Sequence, residues 1–194
     1  MPSDLRALVV FADSSLHRSR ISRRVLEAVA TLPGVKVQDL YQLYPDLYID
    51  VRQERELLEA APLVVFIFQL GWYAMPALLK EWFDTVFKPE WARRQPGGLH
   101  GKHALAAVAC ADLPDDYREG GKHGRPFAAY LAPLEQTVDA CGMHWLTPHV
   151  FYGAGAASAE ATDAHAADLR ALLSRYMDNA EAGAGAEAGA HRGT

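Results

Sequence analysis

A short apolar run limits what this chain can fold into more than any other stretch. Residues 63–68 read LVVFIF, an unbroken series of β-branched, aromatic and other apolar side chains. A strand of this composition is typically buried on both faces, as in a parallel sheet, and it is too short to cross a membrane. The loop QLGWY follows at 69–73, and Pro76 stands where a helix is predicted to begin. From position 77 the apolar residues recur at helical spacing.

The rest of the chain repeats this alternation of strand and helix. The predicted strands are 5–12, 35–40, 63–68, 102–109 and 143–152, and Pro148 interrupts the last one. The predicted helices are 20–32, 52–60, a central helix from 77, 126–141 and 160–177, while 41–51 is predicted to be an irregular aromatic loop. Parallel strands alternating with helices predict a doubly wound α/β/α sandwich of three layers. The lengths fit a flavodoxin-like, five-stranded parallel sheet.

Length and composition predict one domain at 1–178, followed by a tail. From position 179 the sequence consists of Ala, Gly and Glu repeats that offer no apolar face, so 179–194 is predicted to be disordered. The formal net charge of −5 argues against general nucleic-acid binding. The cysteines, Cys110 and Cys141, form no CxxC pair, and the N-terminus lacks a signal-peptide pattern, which favours a reducing, cytoplasmic location.

The loop after the first strand is a candidate phosphate site. It offers hydroxyl groups at Ser14, Ser15, Ser19 and Ser22 just before a predicted helix N-terminus, with arginines at 18, 20, 23 and 24. Helix N-terminal N–H groups and hydroxyls bind anions. The alternative is a simple helix cap with solvated arginines, and the nearby carboxylate of Asp13 opposes an anion. No GxxxxGK[ST] or GxGxxG motif is present.

Two further loops at the same predicted edge could hold a flat ring. Residues 70–73 could stack an isoalloxazine or nicotinamide ring, or Trp72 and Tyr73 could simply cover the edge of the core. Tyr117 and His123, after the fourth strand, could handle charge during hydride transfer, or could be ordinary surface residues. Histidines at 100, 103, 144 and 149 lack a metal-binding spacing, so no metal site is predicted.

Several segments together closely resemble the NAD(P)H:quinone oxidoreductase family, and in particular the ancillary subunits of glutathione-gated potassium-efflux antiporters. These segments are GVKVQDLYQLYPDLYID at 34–50, WYAMPALLKEWFD at 72–84, LHGKH at 99–103 and CGMHWLTP at 141–148. The resemblance covers roughly residues 5–178. It implies a flavodoxin-like homodimer that binds FMN, or FAD in larger relatives, and passes electrons from NAD(P)H to quinones by ping-pong hydride transfer.

The resemblance also assigns roles to individual residues. Asp13 and the stretch Ser19, Arg20, Ile21 and Ser22 would lie in the flavin phosphate loop. Leu70, Gly71, Trp72 and Tyr73 would lie along the isoalloxazine, and Ala109, Cys110, Ala111 and Asp112 would meet its other edge. Tyr117 and His123 match the spacing of the catalytic Tyr/His pair of the larger quinone reductases.

Three loops depart from the family pattern. The family has His in place of Asp13, His-Pro in place of Phe68-Gln69, and a Thr-Thr-Gly-Gly-like turn in place of 109–112, which here reads ACAD. The leading hypothesis is therefore an FMN-dependent quinone reductase. The alternative is a regulatory subunit, with weak or lost flavin binding, that docks on the cytoplasmic domain of an antiporter at the inner membrane face. A homodimer is expected because Trp82, Trp91 and the 41–48 loop supply more aromatic surface than one small sheet covers.

Overall fold

The computed structural model, which describes residues 4–14 and 19–190, contains a parallel sheet with helices on both faces. Its strands are β1 (Ala7–Ala12), β2 (Val35–Asp39), β3 (Leu63–Gln69), β4 (His103–Ala109), β5 (His144–Trp145) and β6 (His149–Phe151). The order is β2-β1-β3-β4, with β5 and β6 both on the far side of β4, and every pair is parallel. Pro148 lies between β5 and β6, so the predicted fifth strand is present as two pieces. The flavodoxin-like fold prediction is confirmed.

Seven helices connect and flank these strands in the described part of the chain. They are α1 (Arg20–Ala30), α2 (Leu40–Leu43), α3 (Val51–Ala60), α4 (Ala77–Val86), α5 (Pro89–Ala92), α6 (Ala128–Ala140) and α7 (Ala159–Ala190). The prediction of an irregular loop throughout 41–51 was wrong at its start, because Asp39 caps α2 by accepting a hydrogen bond from the Gln42 N–H at 3.3 Å. Helices as short as α2 and α5 show no apolar period that a sequence can reveal.

Each face of the sheet carries its own hydrophobic core. Along β1, Leu8 and Val10 point to one face while Val9 and Phe11 point to the other, and all four are buried. The larger core packs against α3, α4 and α6, and the smaller one against α1 and α7. This explains the unbroken apolar run in β3, since residues 63–68 are buried on both faces.

The larger core contains a buried carboxylate. Glu54 of α3 is fully buried and accepts hydrogen bonds from the Gln38 amide at 2.7 Å, the Tyr44 hydroxyl at 2.5 Å and the Trp82 indole N–H at 3.0 Å. Trp91 is also buried, and its indole N–H donates to Glu59 at 3.0 Å. The expectation that Trp82 and Trp91 supply surface for a dimer was therefore wrong.

The final helix extends into the segment predicted to be a tail. The backbone of α7 is helical up to Ala190, although 179–190 lacks an apolar face in the sequence. Ala and Glu have a high intrinsic helix propensity. The prediction of a disordered tail rested on the missing apolar face and did not include this propensity. The division into a domain at 1–178 and a disordered tail stays a prediction. Within 4–14 and 19–190, the helices lack the combination of length and hydropathy needed to cross a membrane.

Candidate functional site

The candidate site lies at the carboxyl edge of the sheet. The chain leaves β1 toward β2 on one side and leaves β3 toward β4 on the other, so the loops after β1 and β3 diverge there. Open α/β sheets bind ligands in the crevice formed at such a point. The loops after β1, β3 and β4, which we call the rim loops, contain the residues predicted to bind a cofactor.

The first rim loop ends in a capped helix N-terminus. The Ser19 hydroxyl accepts a hydrogen bond from the Ser22 N–H at 3.1 Å and so caps α1. The Ser22 hydroxyl contacts both Ser19 and the carboxylate of Asp13, and Asp13 is nearly completely buried at the end of β1. The carboxylate therefore points toward the helix start rather than away from it. Ser15 and Arg18, also predicted to contribute, lie outside the described residues.

An open groove of about 430 Å³ lies beside this helix start. Its lining comes from three parts of the chain: the start of α1 (Ser19, Arg20 and Ile21), the end of β3 (Gln69) and the stretch after β6 (Ala154, Ala157 and Thr162). The hydroxyl of Ser19 and the positive end of α1 both favour an anion in this groove. Gln69 was not among the predicted site residues, although its position directly after an apolar strand is the signal that could have indicated it.

The second rim loop is a tight turn that carries two aromatic residues. Gly71 and Ala74 exchange backbone hydrogen bonds of 3.1 and 3.0 Å, which leaves Trp72 and Tyr73 as the central residues of a two-residue hairpin turn. Both have positive φ, 47° and 65°, as a type I′ turn requires. Large side chains rarely adopt this conformation, and such strain concentrates at functional sites. The Trp72 side chain is 96% exposed.

The third rim loop is braced against β3 and β6. The Leu70 N–H donates to the Ala109 carbonyl at 2.9 Å, which joins the second and third loops. The Cys110 N–H donates to the Phe151 carbonyl at 2.9 Å, and the Gly153 N–H donates to the Asp112 carbonyl at 2.8 Å. Ala111, between them, is exposed. The structure thus brings the residues predicted at both ring edges to neighbouring loops.

Asp112 is the centre of an ionic cluster. One carboxylate oxygen bonds the Lys122 ammonium at 2.8 Å, and the other lies 2.9 Å from Nε2 of His123. The hydrogen bond from Lys122 is the main reason that the pKa of Asp112 falls below its ordinary value, with His123 contributing. The same contact raises the pKa of Lys122. Asp112 is therefore a carboxylate that accepts from both partners.

Tyr117 and His123, the predicted catalytic pair, are in direct contact. Their rings stack with centroids 4.3 Å apart and 23° between planes. The Tyr117 side chain is buried, and its hydroxyl interacts with the Cys110 thiol beneath the third rim loop. Burial raises the pKa of Tyr117 well above its ordinary value, and it raises the pKa of Cys110 to about 11. Their assignment as the catalytic pair stays a prediction.

Sequence reasoning missed several aromatic residues of this site. Tyr130 of α6 stacks on Tyr73, with centroids 5.3 Å apart and 27° between planes, and its hydroxyl donates to the His123 carbonyl at 3.0 Å. Phe127 and Tyr152 complete the cluster around Tyr117. The helical spacing of Phe127 and Tyr130 indicates a core-facing stripe, and the stripe continues into the site.

The four histidines considered for metal binding do not come together: His100 contacts the Gln95 amide at 3.1 Å, and the other three belong to two separate pairs. His103 and His144 are cross-strand partners on β4 and β5, with ring centroids 5.2 Å apart. His149 pairs instead with His165 of α7, which the sequence did not single out. Among the residues that the structure describes, no group of three or more His, Cys, Asp or Glu side chains could hold a metal ion. Cys110 and Cys141 are both buried thiols.

The fold and the rim loops define an α/β protein with a ligand crevice at the switch point of its sheet. A family model described as a flavodoxin-like fold matches residues 6–173. The chain belongs to this flavodoxin-like family.

Solved structures of known proteins share this architecture. A thermophilic tryptophan halogenase from Streptomycin violaceusniger is 35% identical over 84% of this chain and 95% of that chain, with a TM-score of 0.80. General stress protein 14 from Treponema denticola, solved in complex with FMN, is 31% identical over 88% of this chain and 98% of that chain, with a TM-score of 0.82. An NADPH-quinone reductase from P. pentosaceus is 22% identical over 87% and 97%, with a TM-score of 0.78, and so shares the fold.

Proposed function

We propose that this protein is an FMN-dependent NAD(P)H:quinone oxidoreductase. The observation that carries the proposal is the groove at the start of α1, whose lining includes Gln69 at the end of β3, shortly before Trp72 and Tyr73. The FMN complex of the Treponema denticola relative, at 31% identity, supports a flavin as the ligand of such a crevice. The same relationship supports flavin-dependent oxidoreductase chemistry in general, and the quinone as substrate rests on the family resemblance.

The residues at the rim fit a flat ring with an anionic tail. Ser19 and Arg20 lie at the positive end of α1, where they would hold the phosphate. The turn at 71–74 carries Trp72 and Tyr73, and their rings would cover one side of an isoalloxazine. The unfavourable element is Asp13, whose carboxylate faces Ser22 at the helix start and would repel the phosphate. Asp13 therefore weakens binding without closing the groove.

A bound flavin supplies a ring that takes hydride from a nicotinamide and gives two electrons to a quinone. The protein positions that ring and its substrates. Braced by the Leu70–Ala109 and Cys110–Phe151 hydrogen bonds, the second and third rim loops form rigid neighbouring walls. Trp72 and Tyr73 would limit water access from the open side, which strengthens the electrostatic interactions of polar groups at the site. His123 and the surrounding phenols supply groups that exchange protons.

Absorbance spectroscopy tests this function directly. The purified full-length chain is mixed with FMN, desalted and scanned across the flavin bands, and NAD(P)H oxidation is then followed with and without a soluble quinone. We expect retained flavin and quinone-dependent NAD(P)H oxidation. Arg20→Ala should weaken FMN retention, whereas Arg175→Ala, an exposed residue on α7, should leave it unchanged. A chain that retains no flavin at saturating FMN would rule the function out.

A second candidate function is docking on the cytoplasmic domain of a potassium-efflux antiporter. Two observations favour it: the Asp13 carboxylate faces the start of α1, where it would oppose a flavin phosphate, and several large apolar side chains are exposed, among them Leu47, Tyr48, Trp72 and Leu113. Where such side chains form a patch, they mark an interaction site. A pull-down with the isolated antiporter domain tests it, with Trp72→Ser as the variant that should lose binding. Failure of the wild-type chain to bind would refute it.

A further inference from the structure

Three side chains of the rim loops contact one another in series, and the last of them is exposed to solvent. Oδ2 of Asp112 lies 2.9 Å from Nε2 of His123, and Nδ1 of the same imidazole lies 3.4 Å from the Tyr73 hydroxyl. The His123 side chain is mostly buried, whereas Tyr73 is half exposed in the turn of the second rim loop. These contacts therefore connect a carboxylate that is fixed by Lys122, through a mostly buried imidazole, to a half-exposed phenol in the second rim loop.

The chemistry of the groups fixes the direction of these hydrogen bonds. An ionised carboxylate can only accept, so Nε2 of His123 must carry the hydrogen toward Asp112. Nδ1 is then the nitrogen that faces the phenol, either accepting from it or donating to it when the imidazole is charged. Lys122 holds the other oxygen of Asp112 at 2.8 Å, which keeps the carboxylate in place.

Tyr117 has the opposite geometry. Its ring stacks on the His123 imidazole. Its hydroxyl, however, interacts with the Cys110 thiol of the third rim loop and is not exposed at the rim. Burial of the Tyr117 side chain also disfavours its ionisation. Within this cluster the phenol of Tyr73 is better placed to meet a substrate at the mouth of the site than the phenol of Tyr117.

We propose that Tyr73, rather than Tyr117, is the catalytic acid of the site, with His123 as its proton relay and Asp112 as the positioning residue that fixes the relay. This rests on the proposed quinone reduction. Forming a hydroquinone requires a hydride, supplied by the reduced flavin, and one proton. The Tyr73 O–H bond breaks as its proton moves to the quinone oxygen. The Nδ1 proton of the imidazolium then moves to the phenolate oxygen, and solvent returns a proton to the neutral imidazole.

The proposal also explains a departure from the family pattern. The third rim loop has Asp112 where the family resemblance implies a glycine, and that carboxylate is the group that orients His123. The Nδ1–hydroxyl distance of 3.4 Å is long, as catalytic hydrogen bonds often are before substrate binds.

Imidazole NMR tests the relay without any flavin. Long-range ¹H–¹⁵N spectra of the ¹⁵N-labelled full-length chain, at about pH 8.5 where an ordinary imidazole is neutral, are assigned to His123 by comparison with His123→Gln. We expect a single Nε2–H tautomer in the wild type. Asp112→Asn should give a tautomer mixture, and Tyr73→Phe should shift the Nδ1 resonance. Tyr176→Phe removes a hydroxyl on α7, against the smaller core, and it should leave Nδ1 unchanged. An Nδ1 resonance that Tyr73→Phe does not move would overturn the relay.

Kinetics then test the role of Tyr73. With FMN bound and a soluble benzoquinone as acceptor, Tyr73→Phe should lower kcat by about 100-fold with little change in KM, since general acid catalysis contributes on this order. Tyr176→Phe, on α7 against the smaller core, should stay within about twofold. A Tyr73→Phe variant with the wild-type kcat, or a larger loss in Tyr117→Phe, would overturn the assignment. Absence of flavin binding overturns the proposed function instead, and the NMR spectra still decide whether the relay exists.

Discussion

The Glu54 carboxylate accepts a hydrogen bond from the indole N–H of Trp82 at 3.0 Å, deep in the larger core. Glu54 belongs to α3 and Trp82 to α4, so this bond joins two helices that cover the same face of the sheet. The side chains of Gln38 and Tyr44 donate to the same carboxylate from β2 and from the loop after α2. A buried charge with three donors is well satisfied, and removing it leaves all three unpaired.

Glu54→Ala should therefore be strongly destabilising. Each donor left unsatisfied in the core costs about 1–3 kcal/mol, so three donors predict a loss of roughly 3–9 kcal/mol in the free energy of unfolding. Urea denaturation measures it. Glu56→Ala, on the exposed face of the same helix, is the matched control and should change stability by less than about 0.5 kcal/mol. Equal midpoints for the two variants would contradict a structural role for the buried carboxylate.

Asp13→Asn should tighten FMN binding. The substitution removes a negative charge near the proposed phosphate position, while the amide oxygen can still accept from the Ser22 hydroxyl. We expect about a tenfold lower Kd for FMN, which corresponds to roughly 1.4 kcal/mol. Quenching of flavin fluorescence measures the affinity. Asp139→Asn, an exposed charge change at the end of α6, should have no effect, and an unchanged Kd in Asp13→Asn would show that the carboxylate does not face the phosphate.

Trp72 should matter for ligand binding more than for folding. Its indole is almost fully exposed, and its backbone has a φ of 47° that glycine adopts without strain. We expect Trp72→Gly to be about 1 kcal/mol more stable than Trp72→Ala, because only alanine keeps the left-handed strain. Both variants should bind FMN more weakly than the wild type. Thermal denaturation measures the stability of each variant, and FMN titration measures its affinity for the flavin. A Trp72→Gly variant that is less stable than Trp72→Ala would contradict backbone strain at position 72.

The stability of the fold should decrease as the pH is lowered, because the His165 side chain is buried. Its ring is buried between His149, at 4.7 Å, and Phe151, at 4.2 Å, with Asp168 as the charged group that partly compensates. Burial lowers the pKa of His165 to about 4 in the folded state. The unfolded chain binds the His165 proton more tightly than the folded chain does, so protonation favours unfolding. The stabilising contribution of the neutral imidazole is therefore complete above about pH 6.5 and is lost as the pH falls to about 4. His165→Phe should flatten Tm against pH in this window, and an unchanged slope would contradict burial of the neutral ring.

A homodimer remains a prediction, and it now rests on the 41–48 loop without Trp82 and Trp91. The exposed apolar side chains near the rim include Leu47 and Tyr48, and Tyr48 is 83% exposed. Tyr48→Asp should shift the association equilibrium toward monomer by introducing a charge into the apolar patch. Sedimentation velocity at micromolar concentration measures this, with Lys36→Asp on β2 as an exposed charge control. A wild-type chain that sediments as a monomer would refute the dimer.

The fold was predictable from sequence because its main signals are local. The apolar runs of β1 and β3 and the helical period after Pro76 locate buried strands and a covering helix, and the structure confirms each. The short helices α2 and α5 were missed because they depend on a single cap or on Pro89 at the first position. The buried state of Trp82 was missed because it depends on a partner, Glu54, from another helix.

The site could be predicted only as a set of loops. Sequence order indicates that Tyr73, Asp112 and His123 all follow strands or lie beyond them, and parallel strands bring such loops to one edge. Which atoms meet is set by side-chain orientation: Tyr117 and His123 are six positions apart and stack, yet the Tyr117 hydroxyl turns toward Cys110. The left-handed turn also lacks a glycine at its two central positions, Trp72 and Tyr73, where a glycine would have indicated positive φ.

The break in the last strand limits how copies of this protein can join. β5 and β6 contribute two and three residues to the border of the sheet, with Pro148 between them. An edge that is this short and interrupted has few unpaired backbone groups, so a second chain could add a strand to it only with difficulty. Edge-to-edge extension of the sheet between copies is therefore disfavoured on this side. Contacts between copies would be made by surface side chains instead.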